Sequence, residues 1–152
     1  MKYLTKTGAE KIKTELESRV KTRKEIAQAI KEAKELGDLS ENAEYTEAKN
    51  QQRENEGRII KLENMIRTYK IVDKKNGNNE VSLDSVIKVK NKTLDKEMIF
   101  HIVGSNEADP VSGKISNESP IGKAFLNKKK NDKVELVLVN GKKIEYEILE
   151  IK

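Results

Sequence analysis

The sequence predicts an α+β protein, with an N-terminal antiparallel coiled-coil helical hairpin followed by a small domain of strands with one helix. Three observations carry that prediction. Apolar residues recur in steps of three and four between Thr7 and Tyr69, with no proline in the span. A Gly37-Asp38-Leu39-Ser40 turn divides the span in two. After residue 80 the pattern changes to β-rich runs punctuated by Asn and Gly.

The first helix is expected over Thr7–Leu36, with Ala9, Ile12, Leu16, Val20, Ala27, Ile30 and Ala33 as its apolar or small positions. The second is expected over Ala43–Tyr69. Its Ala48, Gln52, Asn55, Ile59, Leu62, Ile66 and Tyr69 alternate steps of four and three, a heptad seam that is polar at Gln52 and Asn55. In an antiparallel pair, facing residues share an index sum. Ala9 with Tyr69, Ile12 with Ile66, Leu16 with Leu62 and Ile30 with Ala48 all give 78, which centres the turn on Leu39. Gly37 suits a left-handed helix end there. Each arm of about 30 residues spans roughly 45 Å. Small and polar residues dominate the seam toward the turn, so the tip is expected to be less stable than the base.

The hairpin is assigned to residues 1–75, a polar linker to 76–80, and the second domain to 81–152. Strands are expected over Val81–Val89, Met98–Val103, Val134–Val139 and Lys142–Ile151, the last two joined by an Asn140-Gly141 hairpin turn. Ser119-Pro120 has the cap-then-proline order that opens a helix over Ile121–Asn127. His101 lies in a strand-like run with no second His beside it and reads as structural.

Composition removes several classes of function. There is no Cys, which excludes disulfides and thiolate chemistry, and the single His argues against a His-based metal site or triad. Lys+Arg number 31 against 26 Asp+Glu, and the excess is mild in both halves, without the dense basic stripe of a phosphate-tracking surface. Aromatics are 4%, too few for stacking platforms along a single strand. Lys128-Lys129-Lys130 reads as a solvated loop. No apolar run is long enough to span a bilayer, and the first residues lack the core of a signal peptide, so a cytoplasmic protein is expected. Lysine outnumbers arginine, which reads as codon bias in an AT-rich genome.

The candidate site is the tip. Between Lys34 and Lys49 there is no basic residue and there are five acids, Glu35, Asp38, Glu41, Glu44 and Glu47. Two readings are open. Asp38 and Glu41 have the spacing of a capping box, with Asp38 as N-cap of the second helix. Alternatively the acids form a functional cluster at the end of the arm, and capping would then also hold their geometry.

The run Gly37-Asp38-Leu39-Ser40-Glu41-Asn42-Ala43-Glu44-Tyr45, followed by Gln51-Gln52 and Glu56-Gly57-Arg58-Ile59, resembles the signature of the Gre transcript-cleavage factors, closest to the GreA branch. The resemblance extends through Asn106-Glu107-Ala108-Asp109 and Ser119-Pro120-Ile121 to the C-terminal strands. It implies a coiled-coil hairpin and an FKBP-like docking domain. It also implies a role with bacterial RNA polymerase, reached through the secondary channel, in stimulating cleavage of backtracked nascent RNA. Asp38 and Glu41 match the two tip acids that complete the polymerase active site, where they would share a Mg²⁺ that the isolated protein does not bind tightly. Lys34 and Lys49 fall where the family contacts the RNA 3′ end, and Ser119 with Pro120 is the expected docking segment. The expected partners are polymerase and the RNA 3′ end, with no membrane, and the chain is expected to be monomeric. The FKBP-like domain has only Phe100, Phe125 and Tyr146 to line a prolyl pocket, so docking without isomerase activity is expected.

Two rivals predict a different tip. A binding-only channel factor would dispense with one of the two acids, and both are present. A chaperone-like hairpin would expose several apolar residues at its turn, where Leu39 stands alone.

Overall fold

Two long helices form where the periodicity predicts them, α1 over Lys6–Glu35 and α2 over Ala43–Thr68. The computed structural model describes residues 2–38, 42–72 and 79–152. Leu39 and most of the 76–80 linker lie outside them. The chain divides into two units, Ala9–Tyr69 and a second one built from residues 1–8 with 70–152. The ends of the first segment therefore differ from the expected 1–75 hairpin. Tyr3–Thr5 forms strand β1 and Lys70–Val72 forms β2, and the two pair in parallel, Leu4 opposite Ile71. Such a pairing of segments more than sixty residues apart leaves no local sequence pattern.

Within the hairpin the α2 seam is buried at Ala48, Asn55, Ile59 and Leu62 as predicted, but Ile66, expected to continue it opposite Ile12, is exposed. On α1 it departs from the prediction. Val20 is 38% exposed and Ala27 is exposed, while Ile26 is buried. Ile12, Ile26 and Ala33 are buried and lie whole heptads apart, so the fourth position of that row is Arg19. Ala9, Leu16 and Ile30 form the second row, with Arg23 in its gap. The seam thus passes two arginines where the sequence offers the more apolar Val20 and Ala27 one position further on.

The register moves with it. Asn55 Nδ2 donates to the Arg19 carbonyl at 3.0 Å, and Asn42 Nδ2 donates to the Ala33 carbonyl at 2.6 Å. These pairs have index sums of 74 and 75, half a heptad from 78. Leu16 is then level with Ile59, and Ile12 with Leu62. Two ion pairs also bridge the helices from longer side chains, which reach across more than one level of the arm. Arg23 forms a two-bonded pair with Glu56 at 2.6 and 2.8 Å, and Arg58 pairs the same way with Glu15 at 2.6 Å in both bonds. The Arg58 guanidinium holds the Glu15 carboxyl below the usual glutamate range, first through the hydrogen bond and then through charge, against the opposing effect of burial. Asn55 Oδ1 is buried without a partner among the described residues.

In the other unit a five-stranded sheet runs in the order β5-β4-β3-β7-β6, formed by β3 (Val86–Asn91), β4 (Lys96–Val103), β5 (Lys114–Ser116), β6 (Lys133–Val137) and β7 (Lys143–Ile151). Neighbours are antiparallel except β4 and β5. The first expected strand starts later than Val81, because Asp84 adopts φ 69° and the Ser85 hydroxyl accepts from Ser82 N–H, which closes a turn before Val86. Asn140-Gly141 makes the expected turn, with Gly141 N–H donating to Leu138 O at 2.8 Å. Helix α3 (Pro120–Phe125) opens at Ser119 as expected, with Ser119 Oγ accepting from Gly122 N–H at 3.0 Å.

The core of this unit is Val81, Ile87, Val89, Ile102 and Ile148 under α3, with Phe100, Phe125 and Tyr146 packed on one another at ring separations of 5.6 to 6.2 Å. All three aromatics are buried in that cluster. They fill the core and do not line an open cavity. His101 Nε2 lies 2.7 Å from Asp84 Oδ1, a local tie between β4 and the turn before β3.

Candidate functional site at the hairpin tip

The end of α1 is unwound by Gly37, whose φ of 130° is a conformation that side chains with a Cβ rarely adopt. Asp38 follows, exposed and outside both helices. Glu41 lies outside the described residues, as does Ser40.

Asp38 is not the N-cap of α2, contrary to the capping-box reading. Asn42 is the cap, with extended backbone (φ −86°, ψ 98°) and Oδ1 accepting from Tyr45 N–H at 3.1 Å. The physical reason is the second bond that Asn42 makes, from Nδ2 to the Ala33 carbonyl in the last turn of α1. An amide carries its acceptor and its donor on separate atoms, so it can accept at the start of one helix and donate to the end of the other. One side chain therefore closes the two helices across the turn. The dipole of α2 meets Glu44 in its first turn. The signal for Asn42 was present in the sequence, since Asn directly before an apolar-periodic run is a strong N-cap. The D-x-x-E spacing four residues earlier outcompeted it.

Lys34 sits in the last turn of α1 and is exposed. Lys49 is exposed on α2, and its Nζ donates to Gln52 Oε1 at 2.7 Å. On the observed register Lys49 is level with Ile26, eight residues and about 12 Å along α1 from Lys34. The two lysines flank the acidic window in sequence without meeting at one level of the arm. Among the described residues no three His, Asp or Glu side chains gather as a metal site.

Ser119 and Pro120 occupy the start of α3. The Ser119 hydroxyl donates to Ser116 O at 2.6 Å and accepts from Gly122, so both of its bonding directions are used inside the fold. Pro120 is exposed.

Comparison with known proteins covers both units. Residues 2–71 match the family model "Transcription elongation factor, N-terminal", and residues 74–152 match "Transcription elongation factor, GreA/GreB, C-term". The chain is 50% identical over 151 residues to the transcription elongation factor GreA of Clostridioides difficile, covering 98% of this chain and 94% of that one. It is 47% identical over 152 residues to GreA of Acetivibrio thermocellus, with the same coverage of 98% and 94%. Among solved structures it is similar to the GreA factor homolog 1 (Gfh1) protein of Thermus thermophilus, at 27% identity over 99% of this chain and 97% of that chain, with a TM-score of 0.45. Among the described residues no helix is long and apolar enough to cross a membrane.

Proposed function

Because the chain belongs to the GreA/GreB family of transcription elongation factors, in its GreA branch, we propose that its acidic tip is the part that stimulates RNA cleavage by bacterial RNA polymerase. The protein is an elongation factor and not itself the nuclease. The arm enters the secondary channel and brings Asp38 and Glu41 to the polymerase active site. Cleavage of backtracked RNA there releases the arrested complex.

The observation that carries this reading is the division of labour at the tip. Asn42 caps α2, so the N-cap role does not fall to Asp38, which is exposed and follows the end of α1. The donor set fits a shared Mg²⁺, a hard cation commonly held by one or two carboxylates together with waters and substrate phosphates. When bound, such an ion activates water and stabilises the leaving oxygen of a phosphodiester. Asp38 and Glu41 would contribute oxygen ligands to it, the remainder coming from the polymerase and the RNA. Two carboxylates on a solvated tip bind such an ion weakly alone, so the activity belongs to the complex. Lys34 is placed to meet the phosphates of the RNA 3′ end, with Lys49 further down the same arm. The strand-rich unit docks on polymerase through the exposed Pro120 beside Ser119. The factor works as a monomer in the cytoplasm.

The test is a transcript-cleavage assay on a stalled elongation complex. Asp38→Asn and Glu41→Gln should leave helicity and polymerase binding close to the parent and reduce cleavage sharply, with partial recovery in excess Mg²⁺. Parental cleavage rates in both variants would refute the assignment. Loss of polymerase binding in either would make the tip a docking element instead.

A further inference from the structure

Within the hairpin unit, α2 turns one row of residues away from α1. Asn50, Arg53, Gly57, Ile60, Asn64 and Arg67 follow one another in steps of three and four, and all are exposed. The row holds two arginines and no acid. Arg67 donates to Asn64 Oδ1 at 2.7 Å, whereas Arg53 has no ion-pair partner among the described residues. Ile60 is 57% exposed, on the side of a surface helix where polar side chains are the rule.

Gly57 is the second departure from that rule. Glycine inside a helix costs about 1 kcal/mol relative to alanine. Nothing inside the unit accounts for it, because a Cβ built on Gly57 meets no atom within 4 Å and its backbone is not in the left-handed region. A hinge is opposed by its neighbours, since Glu56 is held by Arg23 and Arg58 by Glu15, each through two hydrogen bonds. Gly57 therefore leaves bare backbone between Arg53 and Ile60, which lie about 10 Å apart along the helix. Bare backbone admits the close approach of another chain.

We propose that this face of α2 is a docking surface for RNA polymerase: an acid-bearing segment of the polymerase lays its backbone against Gly57, covers Ile60 with an apolar side chain and pairs a carboxylate with Arg53. An RNA strand would leave Ile60 uncovered and gain nothing from a bare glycine, whereas a protein segment uses all three residues. The proposal rests on the reading that the protein acts with polymerase, and it adds a contact on the arm to the one assigned to the strand-rich unit.

The test measures displacement of fluorescently labelled parent from polymerase by unlabelled full-length variants, with far-ultraviolet circular dichroism to follow helix melting. Gly57→Ala should move the two readouts in opposite directions. Its melting temperature should rise by about 4–8 °C, the shift expected for about 1 kcal/mol in a unit of this size. Displacement should nevertheless weaken by about tenfold, because the added methyl holds the partner's backbone away. Ile60→Ala should weaken displacement by about fivefold and Arg53→Glu by about tenfold, while Ile60→Leu stays within about twofold. Parental displacement by Gly57→Ala overturns the proposal, even if cleavage falls, since the glycine would then serve motion of the helix. A lower melting temperature in Gly57→Ala also overturns it, because the fold itself would need the glycine. So does a parent that dimerises in sedimentation equilibrium while Gly57→Ala stays monomeric, which would give the face to a second copy. A parent that binds no polymerase overturns the proposal together with the reading it rests on, whereas a parent that binds beside variants that displace equally well overturns the proposal alone.

Discussion

Asn42 separates order at the tip from charge at the tip. Its Oδ1 caps α2 at Tyr45 N–H and its Nδ2 holds the Ala33 carbonyl. Asn42→Ala removes both. Losing the cap costs about 1 kcal/mol, and the cross-hairpin bond contributes about 1 kcal/mol more. Closure of the turn should weaken by about 2 kcal/mol, which raises the open fraction by roughly thirtyfold. Asn42→Asp behaves differently. Asp caps as well as Asn and gains about 0.5 kcal/mol from the helix dipole. It has no donor for Ala33, however, and sets a carboxylate oxygen against that carbonyl at the site of a 2.6 Å bond. The cap survives while the link to α1 is lost.

Amide hydrogen exchange distinguishes the two variants, because the Tyr45 amide is protected by the cap alone. In Asn42→Ala, Tyr45 exchange should accelerate by about fivefold. In Asn42→Asp it should stay near the parent. Maximal cleavage should fall in both, since each releases Ala33 and with it the geometry of the Asp38 segment. An Asn42→Asp protein with parental cleavage and melting temperature would show that the bond to Ala33 does nothing, and the account of the tip would fail. Unchanged Tyr45 exchange in Asn42→Ala would show that Asn42 is not the cap.

Three further outcomes follow from the arm. Leu16→Cys with Ile59→Cys should oxidise to a disulfide more readily than Leu16→Cys with Leu62→Cys, and the reverse preference on a non-reducing gel would restore the index sum of 78. Asn55→Leu removes a buried oxygen that has no partner and adds apolar burial, so urea unfolding should show a gain of about 1–2 kcal/mol; a loss would mean that the bond to Arg19 O outweighs it. The pH dependence has a definite sign, because the folded Glu15 carboxyl titrates below its unfolded range. Its contribution is fully present above the unfolded value of about 4.3 and is lost as pH falls through the lower folded value. Glu15→Gln should therefore flatten the acid limb of arm stability and leave its shape above pH ~6 unchanged. An identical acid limb would remove the Glu15–Arg58 pair from the account.

How much of this was legible in the sequence depends on where the deciding contacts lie. The helices, the Asn140-Gly141 turn and the Ser119-Pro120 helix start were readable because each is set by residues within one turn of one another. Three short strands, β1, β2 and β5, were not, since each has three residues and a partner fixed only by the completed fold. The register of the arm failed for a subtler reason. A constant index sum rewards any alignment that matches apolar with apolar, and Val20 and Ala27 offered one. The observed alignment matches Arg19 with Asn55 and Ala33 with Asn42, polar contacts that an apolar search scores as gaps. A buried Asn bonded to the facing backbone specifies a register more sharply than exchangeable small apolar residues, because a half-heptad slip takes its amide away from that carbonyl. The tip repeats the lesson. Its acids stood out in the sequence by charge alone, but the residue that sets their surroundings is a neutral amide, recognisable only once the Ala33 carbonyl lies across from it.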